Sequence, residues 1–388
     1  MIPYSRQFIN KDDLQAVGDT LLSPLITQGP RVGEFESALR TIHDCADAVA
    51  CSSGSSALHL AYAACGIDEH GIGIVPSITF ASTANAFRHL GAKVLFCDVD
   101  PATGLIDLNS LEQNLKLANI SRKSGAGVIA PVSFAGKVAP LKECRRLADK
   151  YDFLLVEDAS HSPLAWEEQG GEIVRSCTCE WTEYATLSFH PVKHVCCGEG
   201  GAVLCGTSGE GEVPRRMATH GIQRPNGPDS AQPWRYEQVD LGWNFRLTDL
   251  QASLGISQLS RLKDGVDQRR KLASIYNQKL STSPFIDMID LPALEKGHSW
   301  HLYIIRFKKA EFRDQAYHFL RNEGISTQVH YIPVYQHPYY RKLYGQISLD
   351  GAEKFFSGCL SIPLFPGMTS CEQEKVIAKL ALFLKQAG

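Results

Sequence analysis

Phe153-Leu154-Leu155-Val156-Glu157-Asp158-Ala159-Ser160-His161 decides the fold. An unbroken apolar run from Phe153 to Val156, with no polar alternation, describes a strand buried on both faces. Ahead of it, Pro140 opens a helix that carries Leu141, Cys144, Leu147, Ala148 and Tyr151 on one side. Further upstream, Val128-Ile129-Ala130-Pro131-Val132 and Val94-Leu95-Phe96-Cys97 are two more short apolar strands. Continuous apolar strands alternating with amphipathic helices indicate an α/β architecture, a mostly parallel sheet covered on both sides. Ligands in such sheets bind at the carboxyl ends of the strands, and Glu157 to His161 occupies one such end. An acid emerging from a buried strand needs a partner. A helix N-cap is the ordinary one, and a cationic ring nitrogen of a ligand is the functional one.

Tyr184-Ala185-Thr186-Leu187 is another buried strand, and it runs into Ser188-Phe189-His190-Pro191-Val192-Lys193-His194-Val195-Cys196-Cys197-Gly198-Glu199-Gly200-Gly201. A lysine in such a turn can lose solvation, lower its pKa and attack a carbonyl. Taken alone, Lys193 would more ordinarily be a solvated surface charge. Ala202-Val203-Leu204-Cys205 returns as a strand in a hairpin-like pair with the lysine strand. Toward the N-terminus, Ala48-Val49-Ala50-Cys51 leads into Ser52-Ser53-Gly54-Ser55-Ser56 and then a helix that Gly66 terminates. Hydroxyls and free N–H groups at a helix start favour an anion such as phosphate; the bland alternative is a serine N-cap. The spacing matches neither G-x-G-x-x-G nor a Walker loop, so neither a dinucleotide nor a nucleoside triphosphate is implied.

The 388 residues suffice for two domains. Residues 1–250 are expected to form an N-terminal arm and a large domain, and residues 251–388 a small C-terminal one. In the arm, Lys11–Leu22 and Val32–His43 have helical spacing, with a turn at Thr27-Gln28-Gly29-Pro30. The segment from Gln223 to Gln238, rich in Pro, Gly and Asn, predicts a long ordered loop. A long helix follows through Leu250, Leu254, Leu259, Leu262 and Val266. The small domain is predicted to hold a strand at His301–Phe307, a helix at Glu311–Asn322, a strand or loop at Thr327–Tyr331 and a final helix to Lys385. A net charge of −3 argues against nucleic acid and against a polybasic membrane anchor. With no apolar signal core and no run long enough to span a bilayer, a cytoplasmic protein is expected. The twelve cysteines predict free thiols. Cys177, Cys179, Cys196 and Cys197 lack the C-x-x-C pairing of structural zinc, so no metal is expected.

A reactive lysine, a strand-end aspartate and a phosphate cradle together fit pyridoxal 5'-phosphate. The lysine forms the Schiff base, the aspartate keeps the ring nitrogen protonated, and the cradle holds the phosphate. At this point the chain resembles the DegT/StrS-type nucleotide-sugar aminotransferases, a branch of the fold type I pyridoxal phosphate enzymes. The resemblance covers nearly the whole chain and rests on specific stretches. These are Ile26-Thr27-Gln28-Gly29, Ser53-Gly54-Ser55-Ser56-Ala57-Leu58, Pro76-Ser77-Ile78-Thr79-Phe80 with Thr83-Ala84-Asn85, and Glu157 to His161. Ser188 to Lys193, Gly198-Glu199-Gly200-Gly201 and Gly242-Trp243-Asn244-Phe245-Arg246-Leu247-Thr248-Asp249 complete them.

The resemblance implies a large, mostly parallel seven-stranded α/β/α domain and a smaller C-terminal α/β domain. It implies that Lys193 carries the cofactor and moves the proton, that Asp158 pairs with the ring nitrogen, and that His161 sits by the phenolic oxygen. Phe80 would stack on the ring. Ser55, Ser56 and Ser188 would hold the phosphate, with Asn244 supplied by the other subunit of a homodimer with shared active sites. Within the family the chain is most similar to the transaminases of pseudaminic acid pathways, through Tyr4-Ser5, His161, Trp300-His301-Leu302-Tyr303, Gln328-Val329-His330-Tyr331 and Pro333-Val334-Tyr335. That similarity implies amination of carbon 4 of a UDP-linked 4-keto-6-deoxy-N-acetylhexosamine, with L-glutamate as donor. Tyr4, Ile26, Thr27, His330 and Tyr331 become substrate contacts, and Arg6, Arg31 and Arg224 candidates for the diphosphate. The chain departs from its relatives in having Cys196-Cys197 where threonines are common, which suggests oxidation sensitivity. The alternatives are a GDP- or dTDP-linked 4- or 3-ketosugar as substrate, or a non-catalytic nucleotide-sugar-binding sensor. A related dehydratase would carry histidine in place of Lys193.

Overall fold

The computed structural model describes residues 1–121, 125–223 and 231–387. Seven strands form the central sheet: β1 (Asp47–Cys51), β2 (Ile72–Pro76), β3 (Lys93–Cys97), β4 (Gly127–Ile129), β5 (Leu154–Asp158), β6 (Tyr184–Ser188) and β7 (Gly201–Cys205). Their order across the sheet is β1-β7-β6-β5-β4-β2-β3. The pairs β2–β3, β2–β4, β4–β5 and β5–β6 are parallel. Only β7 opposes its neighbours, pairing antiparallel with β6 from Ser188 opposite Gly201 and with β1 on its other side. The mostly parallel sheet and the hairpin after the lysine strand are both as the sequence predicts.

Alternation along the strands sends side chains to two cores. Val75, Val94, Val128 and Val156 pack on one face with Leu58 and Tyr62 of the helix α1 (Gly54–Ala64) and Phe87 of α2 (Ser82–His89). Ile74, Ile129 and Leu155 pack on the other with Leu111 and Leu115 of α3 (Leu108–Ser121) and Leu147 of α4 (Leu141–Tyr151). Pro140 is the N-cap of α4, and Asp152, in a left-handed conformation, ends it. Burial on both faces is what makes these strands read as continuous apolar runs.

A second sheet runs Ile289–Asp290, Tyr303–Phe307, Cys359–Ile362, antiparallel throughout. Helices Ala310–Asn322 and Ser370–Ala387 contribute Leu320 and Leu380 to its core beside Tyr276, Ile305 and Leu360. Two helices lead from one core to the other. The first, α5 (Asp249–Leu259), packs with the large core through Ala252 and Leu259. The second, α6 (Leu262–Leu280), begins there with Leu262 and Val266, then joins the small core with Ala273, Tyr276 and Leu280. The change of core therefore falls inside α6, later than a division at 250. The start of the arm also belongs to the small core: Ile2 is buried there, and its N–H donates to Gly324 O at 2.8 Å.

Several elements exceed the sequence reading. A hairpin joins Trp166–Gln169 to Glu172–Arg175, and helices span Pro338–Tyr344 and Asp350–Gly358. Residues 327–331 form no strand beyond a single bridge from Gln328 to Ser361. Ile222–Gln223 pairs with Glu237–Gln238 at the foot of the Pro-rich loop; Arg224, Pro225, Gly227 and Pro228 lie outside the described residues. Among the described residues, no helix is long and apolar enough to cross a membrane.

One close approach ties β7 to the start of α1. A Cβ on Gly201 would lie 2.3 Å from the Ser53 carbonyl oxygen, and that oxygen belongs to rigid backbone. Gly201→Ala is therefore expected to destabilise the protein by about 1–3 kcal/mol, read as a lower denaturant midpoint at unchanged slope.

Candidate active site

A cavity of about 580 Å³ opens at the carboxyl ends of β5 and β6. Ser55, Asp158, Ser188 and Lys193 line it from the large domain, Tyr4 from the arm, and His330 and Tyr331 from the C-terminal part. Phe80 and His161 complete the predicted residues that meet there.

Lys193 sits on a loop closed at both ends. The Phe189 N–H donates to Gly200 O (2.8 Å), the Cys197 N–H to Phe189 O (2.9 Å) and the Lys193 N–H to His190 O (2.8 Å). Loss of water around its ammonium lowers the Lys193 pKa to about 8, while the Asp158 carboxylate acts in the opposite direction. A neutral amine is thus accessible near physiological pH, as a nucleophile or proton acceptor requires.

Asp158 is the last residue of β5 and is buried. One carboxylate oxygen accepts from the Thr83 hydroxyl at 2.8 Å and the other from the Ser160 N–H at 3.2 Å. Thr83 is in turn 2.8 Å from the Thr79 hydroxyl. These threonines lie between β2 and the first turn of α2. The sequence quoted them within a motif without giving them a role, since their bond to Asp158 exists only once β2 and β5 enter one sheet.

His161 is buried, and its Nδ1 accepts from the Ala135 N–H at 3.3 Å. That bond assigns the proton to Nε2. Burial first, then the nearby Lys193, His330 and His194, hold its pKa well below the ordinary histidine value. The ring stays neutral and offers one N–H donor.

At the cradle, Ser53 caps α1 and accepts from the Ser56 N–H at 3.1 Å. The Ser56 hydroxyl lies 2.9 Å from that of Ser53 and 3.0 Å from that of Ser52. Ser56 is therefore buried, cross-linking the turn, and is not among the cavity-lining residues, whereas Ser55 faces the cavity. Gly54 permits a close approach here, since a Cβ would stand 2.7 Å from Ser188 Cβ.

Tyr4 lies 5.5 Å from the His330 ring and Phe80 6.0 Å from Tyr331. Phe80 is 60% exposed, an aromatic face left open at the cavity. His330 is buried, with its Nδ1 2.8 Å from the Ser361 hydroxyl, and burial takes its pKa down to about 3. Ile26, Thr27 and Asn244 do not line the cavity. The Ile26 carbonyl accepts the Asp249 N–H at 3.1 Å, Thr27 bridges to Thr248, and Asn244 is exposed beside Thr219. Arg6 packs over the Phe365 ring at 4.9 Å and Arg31 pairs with Glu34 at 2.7 Å; neither lines this cavity, although Arg6 borders an adjoining one that Lys193 also lines. Cys196 and Cys197 are buried, and burial raises both thiol pKa values, which opposes the oxidation sensitivity expected from sequence.

The donor set fits pyridoxal 5'-phosphate. The start of α1 offers a positive dipole end and the Ser55 hydroxyl to a phosphate; Asp158 offers a carboxylate to a ring nitrogen; Lys193 offers an amine to a carbonyl. The lysine's environment can be tested without the cofactor. Acylation of Lys193 in the apo protein, followed by peptide mass spectrometry, is expected to rise with pH about a midpoint near 8. Because Asp158 favours the charged lysine, Asp158→Asn is expected to move that midpoint lower.

The model of the DegT/DnrJ/EryC1/StrS aminotransferase family matches residues 7–381. The chain is 34% identical to the UDP-4-amino-4,6-dideoxy-N-acetyl-beta-L-altrosamine transaminase of Campylobacter jejuni, over 99% of this chain and 96% of that protein. Among solved structures, it superposes on Helicobacter pylori PseC, an aminotransferase involved in the biosynthesis of pseudoaminic acid, with a TM-score of 0.88 and 27% identity, covering 99% of both chains. It also superposes on an aminotransferase of this family from Brucella abortus, with a TM-score of 0.83 and 27% identity, covering 96% of this chain and 95% of that one. The chain belongs to the DegT/DnrJ/EryC1/StrS aminotransferase family, and it is a pyridoxal phosphate-dependent sugar aminotransferase.

Proposed function

We propose that this enzyme transfers an amino group from L-glutamate to carbon 4 of a UDP-linked 4-keto-6-deoxy-N-acetylhexosamine, in a cytoplasmic pathway of the pseudaminic acid type. The observation that carries this reading is the near full-length identity to the Campylobacter jejuni transaminase. The wall of Tyr4, His330 and Tyr331 beside Lys193 supports it. Bound pyridoxal phosphate supplies an electron-withdrawing ring and a carbonyl that exchanges with amines.

The protein's own groups do the rest. Asp158, held by Thr83 and Ser160 at the cavity wall, would hold the ring nitrogen. His161 would offer its Nε2–H to the ring oxygen, and Phe80 would offer its exposed face to the ring. Ser55 and Ser188 would hold the phosphate at the start of α1. Lys193, with its lowered pKa, takes the proton from the donor's carbon and delivers one to the sugar carbon. Amination assays detected by mass, offering UDP-, GDP- and dTDP-linked 4-ketosugars with L-glutamate, are expected to favour the UDP-linked 2-acetamido-2,6-dideoxy-4-ketosugar of L-arabino configuration. Preference for another nucleotide would overturn the substrate while keeping the reaction.

We also infer a homodimer in which Asn244 and the segment of Ile26 and Thr27 serve the partner's cavity. Their positions outside their own chain's cavity support this, as do the exposed apolar side chains of Trp234 (71%), Leu241 (83%) and Trp243 (47%) nearby in sequence. The expected outcome of mixing inactive Lys193→Ala and Asn244→Ala chains under exchange conditions is partial recovery of activity. No recovery from exchanged, folded subunits would refute the sharing of sites.

A further inference from the structure

We propose that His301 is a positioning residue for this reaction, acting as a plate that fixes the ring of His161. The proposal rests on the aminotransferase reading above. His301 is buried, and its ring centroid lies 4.2 Å from that of His161 at a tilt of 34°. Its Nδ1 is buried and has no hydrogen-bond partner among the described residues. The ring is thus not held for a bond at that nitrogen; its ring neighbours are His161 and, at 5.5 Å, His194.

The segment that carries His301 is anchored to both halves of the site. The Ser299 hydroxyl donates to the His161 carbonyl at 3.1 Å. The Ser299 N–H donates to Gly136 O at 2.9 Å and the Leu302 N–H to Ala135 O at 3.1 Å. Ala135 is the residue whose N–H sets the His161 tautomer. On the other side, the Ser299 carbonyl meets His194 Nε2 at 3.0 Å, and His194 follows Lys193. Arg269, buried in α6, donates to the carbonyls of Trp300 and His301 at 3.2 Å each and so holds the segment from behind. Gly136, at a φ of +105°, lets the two backbones meet, because a Cβ there would stand 2.6 Å from the Trp300 nitrogen.

Two constraints therefore define one donor. The Ala135 N–H fixes which nitrogen of His161 carries the proton, and the His301 plate fixes the plane in which that N–H points. Of the rings that border His161, His301 is the nearest at 4.2 Å, against 5.8 Å for Phe134 and 6.4 Å for Tyr331, so its loss gives the ring the most freedom to turn and the donor loses its aim.

The test uses the full chain loaded with pyridoxal phosphate and follows the visible band of the bound cofactor with pH. A donor at the ring oxygen favours the deprotonated form, so its loss moves the midpoint of this titration upward. His301→Ala is expected to raise the midpoint by about half a pH unit or more. It is also expected to lower kcat about tenfold or more while KM for the nucleotide sugar changes less than about threefold. His301→Phe, which keeps the plate and removes the nitrogens, is expected to titrate and turn over like the parent. A His301→Ala protein with the parent's midpoint and kcat overturns the proposal, as does a His301→Phe protein as impaired as His301→Ala. If His301→Ala does not fold, His301→Asn, which lacks the plate but keeps a polar side chain, takes its place with the same expectations. Should the parent chain develop no cofactor band at all, the aminotransferase reading itself fails.

Discussion

Two carboxylates in succession at the end of β5 leave the sheet on opposite sides, and the site depends on that. Glu157 turns into a closed pocket where it accepts from the Ser133 and Ser176 hydroxyls and the Cys177 N–H. Burial raises its pKa, and those donors act against that rise. An unpaired buried carboxylate would be costly, so this set of donors locks the register of β5. A slip of one residue would send every side chain of the strand to the wrong face. With Glu157 fixed, Asp158 can only face the cavity, within electrostatic reach of Lys193.

How much of this was legible in the sequence follows from how local each feature is. The strands β5 and β6 and the helix α4 stand out because burial on both faces, or one, writes a periodic pattern. Asp158, Lys193 and the serine cradle are legible because strand ends and helix starts carry chemistry at fixed offsets. Ser56 differs from Ser55 in lying inward, its hydroxyl meeting those of Ser52 and Ser53, a difference of one helical step that no local pattern shows. The Thr83–Asp158 bond and the tilted contact of His301 with His161 join residues far apart in sequence, so no local pattern announces them. Cys359–Ile362 went unread because four residues between a helix and a loop are too short for either period to show.

The small domain contributes more than a lid. Its core begins with Ile2 and continues through the second half of α6, so the first residues of the arm and the C-terminal part share one core. Tyr4 and Tyr331 nevertheless pack against the large core, so they and His330 close the cavity opposite Asp158, Ser55 and Lys193 at the seam of the two cores. The cavity thus lies where the two cores meet, and they are joined there through Ser299 to Leu302 and through α6.

The loop bearing Lys193 starts and ends on adjacent antiparallel strands, with Phe189 and Gly200 hydrogen-bonded across its neck. Such a loop behaves as a cassette. Its cavity-facing side chains can be exchanged without altering the path of the sheet, because the neck is held by backbone hydrogen bonds and Phe189, Val195 and Cys197 are anchored in the core beneath. A scaffold built this way can acquire a new chemistry by rewriting a few positions in one loop, leaving the cradle and the carboxylate where they are.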